Sequence, residues 1–154
     1  MNDGFLGTAA SGTADLTVLL EIGMGLCLLG GAMLARRKRY RQHAWCQSAV
    51  VLLNLLVIAI AMIPSFHSRV APKIPERLGR SFYALATTHA ALGSVAELSA
   101  IYILIAAGTD ILPEQLRIKE YKTAMRAVLL LWWLVLLLGL GTYVRWYVPL
   151  FFLR

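Results

Sequence analysis

Two imidazoles, two carboxylates, an amide and a guanidinium sit in or beside long apolar runs of this 154-residue chain. His89 and Glu97 lie inside the run Phe82–Ala107, Glu21 and Asn54 inside two earlier runs, and Arg145 inside the last. His67 falls just beyond the second. An ionisable side chain at mid-bilayer costs roughly 2.5–3.5 kcal/mol on insertion scales, so it usually has a partner or a task. Neutral imidazole is the commonest protein ligand for metals and also holds haem, which makes His67 and His89 candidate cofactor-binding and metal-binding residues, with haem b or copper as the centre. The bland alternative is a hydrogen-bonded core histidine at 89 and a solvated loop histidine at 67. Glu21 and Glu97 are candidate steps of a proton path, or else each is neutral by desolvation or paired, Glu21 with Arg145 or His89. Asn54 is expected to hydrogen-bond across to a neighbouring helix.

The elements that must position these groups follow from composition. The chain is 59% hydrophobic, with a mean hydropathy of +0.69, and its apolar runs reach the ~18–20 residues that cross a bilayer. Four spans are expected: about Leu16–Ala35, Ala44–Ile63, Phe82–Ala107 and Ala124–Val148. With short connections they pack as one antiparallel bundle, so the fold class is an all-α membrane protein of four transmembrane helices. The net charge of +7 does not point to nucleic acid. Nine of the 15 basic residues (Arg36, Arg37, Lys38, Arg39, Arg41, Arg117, Lys119, Lys122, Arg126) flank apolar runs, as orientation signals and contacts for anionic lipid do. Six others (Arg69, Lys73, Arg77, Arg80, Arg145, Arg154) fall at the opposite end. That bias places both termini outside, on the periplasmic side of a bacterial inner membrane. The first 15 residues carry Asp3 and Asp15 but no Lys or Arg, which argues against a cleavable signal.

Local signals refine the boundaries. Asp15, with Thr13 nearby, is read as the cap of the first helix and Ser81 as that of the third. Pro64 is expected to close helix two, with an external loop over 65–80 interrupted by Pro72 and Pro75. Pro113 and the residues after it suggest a short amphipathic helix leading into helix four. Tyr143, Trp146 and Tyr147 form an aromatic belt. Cys27 and Cys46 lack metal or redox spacing and read as small buried hydrophobes.

Depth then sorts the polar groups. Glu21 lies roughly 8 Å and His89 roughly 12 Å below the same face, where His67, Arg145 and Tyr143 also arrive. Glu97 lies deeper, level with Asn54, while His43, Tyr121, Lys122 and Arg126 belong to the inner edge. His67 and His89 differ in depth by roughly 12 Å unless the loop dips inward, whereas a bis-histidine haem needs both imidazoles at one level. The small face Ala86, Ala90, Gly93, Ala96 and Ala100 suits a partner helix or contacts within the bundle. No nucleophile with a base, phosphate-cradling loop or zinc-protease helix is present.

The histidine placement resembles the bacterial membrane family known as domain of unknown function 420. The run RRKRYRQH supplies His43, PSFH supplies His67 and FYALATTH supplies Tyr83 and His89. The stretches MRAVLLLWW and GLGTYVRWY supply Arg126, Trp132 or Trp133, Gly141 and Tyr147. The chain departs from the family pattern where Tyr121 replaces a fourth histidine, where Gly141 precedes Thr142 in inverted order, and where Pro64 replaces an aromatic. The resemblance implies an accessory protein of respiratory membranes, some members being linked to haem-copper oxidase maturation. It also implies a broken inner histidine pair and an intact outer pair, His67 and His89. The expected function is a non-catalytic accessory protein of a respiratory or other redox membrane complex, binding other membrane-protein subunits, with haem or copper as the candidate ligand at His67 and His89. The alternative is a small b-type cytochrome or quinone-linked electron carrier.

Overall fold

The computed structural model describes residues 4–148; Asp3 and Arg154 lie outside them. Every element among the described residues is helical, and four helical rods are long and apolar enough to cross a membrane. Helix α1 spans Gly12–Arg36, and α2 (Tyr40–Val57) continues through a π-helical turn, Ile58–Met62, into α3 (Ile63–Arg69). A short α4 (Ile74–Arg77) precedes α5 (Ser81–Gly108) and α6 (Tyr121–Tyr147). Large apolar side chains such as Ile60, Leu98 and Leu130 are more than two-thirds exposed on the outer surface. A soluble protein would bury them; in lipid they are solvated.

The helices form two tight hairpins, α1 with α2 and α5 with α6, closed into a ring by the α1–α6 and α2–α5 contacts. The first hairpin is set by its turn. Lys38 takes a left-handed conformation (φ 60°), while Lys38 N–H donates to Ala35 O and Arg39 N–H to Leu34 O. That Schellman geometry stops α1 within one residue of its last basic side chain and lets α2 return beside it. Close packing follows at Gly31, where an added Cβ would strike the Gln47 amide. Met24, Leu28 and Val50 form a core between α1 and α2, covered by Leu129 and Trp132 of α6. A second core (Val70, Tyr83, Ala86) sits at the other end, with Phe82 stacked on Trp146 at 4.7 Å.

Several boundaries differ from expectation. Pro64 does not end helix two. The π turn ahead of it has Ile63 N–H reaching back to Ile58 O, and the wider turn makes room for a ring that would otherwise meet the carbonyl four residues earlier. His67 therefore sits on helix α3 rather than in a loop. Ser81 is the first residue of α5 and not its cap; Arg80 takes that place with extended backbone and no side-chain cap bond. The expected amphipathic helix after Pro113 is only a 3-10 turn, Glu114–Leu116. The connection is held instead by the Tyr102 hydroxyl on Leu116 O, the Tyr121 hydroxyl on Ala106 O at 2.7 Å, and an exposed Arg117–Asp110 pair. Cys27 is exposed on the bundle surface rather than buried, and Cys46 donates to its carbonyl at 3.3 Å.

Asp15 is not the cap of α1 either. Ser11 caps it, accepting from Ala14 N–H. The Asp15 carboxylate is fully buried and accepts from Leu6 N–H at 2.8 Å and from the Tyr143 hydroxyl at 2.5 Å. With Thr8 against Tyr143 at 2.8 Å and Ala9 N–H on Tyr147 O, it straps residues 4–10 over the end of the bundle, so both ends of the described chain lie at one end. Tyr143→Phe removes two side-chain partners of that strap at once. Limited proteolysis is expected to cleave the variant near Phe5–Thr8 at least several-fold faster than the parent, with the helices intact by circular dichroism.

Candidate functional site

Between the two hairpins lies a cavity of about 950 Å³, at the end of the bundle that carries the strap. Such a volume is at the upper end of the ~300–1,000 Å³ of ordinary ligand pockets. Its walls come from all four long rods, with Thr17 and Glu21 on α1, Asn54 on α2, Thr87 and His89 on α5, and Trp132 and Gly139 on α6. His67 and Arg69 on α3, and Tyr143 and Tyr147 on α6, stand nearer the strapped end. The lining is mainly apolar, so the few polar groups decide what orients inside it.

His89 is the best positioned of these. Its Nδ1 lies 3.0 Å from the Val135 carbonyl. A carbonyl can only accept, so Nδ1 carries a proton, and in the neutral ring Nε2 carries the lone pair. The imidazole lies over Gly139, where a Cβ would stand 2.9 Å from His89 Cε1 and 3.4 Å from Nδ1. The glycine is thus the seat of the ring, and the carbonyl one turn earlier is its orienting acceptor. This is the outer-shell arrangement that fixes ligating histidines. Nε2 makes no hydrogen bond among the described residues. Gly139→Ala should push the ring off Val135, because a rigid imidazole cannot yield as a flexible side chain does. The expected result is a loss of ligand affinity of about 10–100-fold, as for other outer-shell changes, with a melting temperature lowered by a few degrees through overpacking and the lost hydrogen bond.

The other expected site residues divide. His67 lines the same cavity but is exposed, with no hydrogen bond among the described residues. Counting from the Asn54–Glu97 contact, His67 is thirteen residues outward and His89 eight, so the two differ by about 8 Å in level. The continuous helix reduces the expected offset without removing it, and the two histidines stand at different levels of the cavity wall. Glu21 is half-buried in the wall and bonds neither Arg145 nor His89. Arg145 is exposed and lies along a separate groove with Ser81 and Leu85 on the outside of α5 and α6. Asn54 Nδ2 donates to Glu97 Oε2 at 2.8 Å, both residues being at least 90% buried. Glu97 Oε1 is buried without a partner. Ala86, Ala96 and Ala100 are buried inside the chain, and an added Cβ at Gly93 would meet Val135. This face therefore packs within the bundle and is not free for a partner helix.

At the basic end, His43 Nδ1 is 2.8 Å from Gly31 O on the α1–α2 hairpin, while Tyr121 is committed to Ala106 on the other. Among the described residues no three His, Cys, Asp or Glu side chains stand close enough to hold a metal ion. A copper centre built from three side chains of one chain is therefore not formed by them. Haem asks less of the protein: one or two axial ligands and an apolar slot. Sequence reasoning missed Gly139, Thr87 and the Asp15–Tyr143 contact. The signal for the last was present, since a carboxylate at the start of the first span and a tyrosine near the end of the last fall at the same level. No family model, curated protein or solved structure matches the chain.

Proposed function

We propose that this chain is a multi-pass protein of the bacterial inner membrane, both termini outside, that serves a respiratory or other redox membrane complex as a non-catalytic accessory protein. Its cavity holds an apolar prosthetic group, with haem as the first candidate and His89 Nε2 as the protein's ligand to it. When bound, haem would supply one-electron chemistry; the chain supplies an oriented imidazole and a mainly apolar slot. The observation that carries this reading is the His89 imidazole seated on Gly139, its tautomer fixed by Val135 and its second nitrogen unbonded in a cavity of about 950 Å³. The cytochrome alternative draws on His67 lining the same cavity; it requires α3 to move inward by about one and a half helical turns, some 8 Å.

Affinity purification of the tagged chain from bacterial membranes in mild detergent tests the accessory role. A stable larger complex containing redox subunits is expected; a chain that migrates alone at every detergent concentration contradicts it. For orientation, a cysteine introduced at Lys73 is expected to label with impermeant maleimide from the periplasmic side. Labelling only after the cytoplasmic face is opened would reverse the assignment.

A further inference from the structure

Charge along the cavity is arranged by level. Among the described lining residues, Arg69 is the only Lys or Arg and Glu21 the only Asp or Glu. Arg69 Nη1 donates to the Tyr147 hydroxyl at 2.7 Å, which orients the guanidinium and leaves its remaining N–H donors for another acceptor. The ring of Tyr147 is itself held between Tyr143 and Trp146, at 5.3 and 6.1 Å. From the Asn54–Glu97 contact, Arg69 is fifteen residues toward the strapped end of the cavity (its mouth) and His89 eight, so the backbone of Arg69 stands roughly 10 Å nearer that end than the backbone of His89. Glu21 lies on α1 about 9 Å inward of Asp15. An acidic group entering the cavity is attracted to the mouth, and the apolar body it carries is left against α5 and α6.

We infer that the mouth is an anion-binding pole built on Arg69 and Tyr147, and that the ligand is a lipid-soluble carboxylic acid whose acid sits at Arg69 while its body fills the cavity. The inference rests on the cavity being a ligand site and adds the ligand's chemical class. Carboxyl-bearing tetrapyrroles and long-chain fatty acids share this chemistry. The test titrates the full-length protein, in a neutral maltoside detergent, with four probes followed by tryptophan quenching: haemin, haemin dimethyl ester, cis-parinaric acid and its methyl ester. One free acid is expected to bind about tenfold or more tightly than its own ester, the scale of a charge-assisted hydrogen bond. Arg69→Gln should bring that acid to the level of the ester and leave the ester unchanged. Tyr147→Phe should give a smaller loss in the same direction. Whichever acid shows the preference identifies the source. Equal binding of acid and ester, or a preference that survives in Arg69→Gln, overturns the anion pole while the cavity reading stands. Failure of all four probes to bind overturns the cavity reading itself. Arg69 is exposed at the end of α3, so its substitution leaves the packing of the bundle intact.

Discussion

His89→Ala is expected to abolish retention of the cavity ligand while leaving a folded four-helix protein. Among the described residues lining the cavity, the imidazole is the only side chain whose ligating nitrogen is both unbonded and fixed in direction, by Gly139 on one side and Val135 on the other. Its removal costs the fold one hydrogen bond to a carbonyl that already accepts within α6, about 0.5–1.5 kcal/mol. Ligand stoichiometry should therefore fall below detection, while the melting temperature of the ligand-free protein shifts by only a few degrees. His67→Ala, on an exposed residue about 8 Å nearer the mouth, is expected to leave stoichiometry unchanged. Equal losses in the two variants would instead make the histidines partners in one site.

The second large effect is structural. Asn54→Leu is expected to destabilise the bundle by about 1–2 kcal/mol. Interhelical hydrogen bonds in membranes average about 0.6 kcal/mol, because a separated helix often finds another partner. Here Glu97 is 4% and Asn54 9% exposed, and Oε1 already lacks a partner. Loss of the amide leaves both carboxyl oxygens unsatisfied in an apolar interior, which moves the cost to the upper part of the measured range. Adding Glu97→Leu to Asn54→Leu should recover most of the loss, since two apolar groups leave nothing unsatisfied. A double-mutant cycle by unfolding in mixed micelles measures the coupling. Additive losses would mean that the pair does not interact.

These residues also show how far the amino-acid order can be read. Four spans were legible because twenty apolar residues in a row have few fates other than a membrane helix. The common level of Asn54 and Glu97 was legible by counting 1.5 Å per residue from the turns, and the structure joins them. Azimuth was not legible. With lipid outside and protein inside, apolar residues cover both faces of a span, so no periodicity told that Arg145 turns outward while Glu21 turns into the cavity. Pro64 misled for a different reason. A proline breaks a regular helix, but a π turn before it absorbs the ring, and nothing in IAIAM announces that turn. Asp15 misled because capping is a local rule, and its actual partners, Leu6 and Tyr143, include one that is 128 residues away. Gly139 was unremarkable among many glycines until a histidine from another helix was found seated on it.

The most direct test of the central claim is the reduced-minus-oxidised visible spectrum of the purified protein, with haem quantified per chain, for the parent, His89→Ala and His67→Ala. A b-type haem band is expected in the parent, with its disappearance in His89→Ala and its persistence in His67→Ala. A band of full intensity in His89→Ala, or a colourless parent protein reconstituted with excess haem, would contradict that claim.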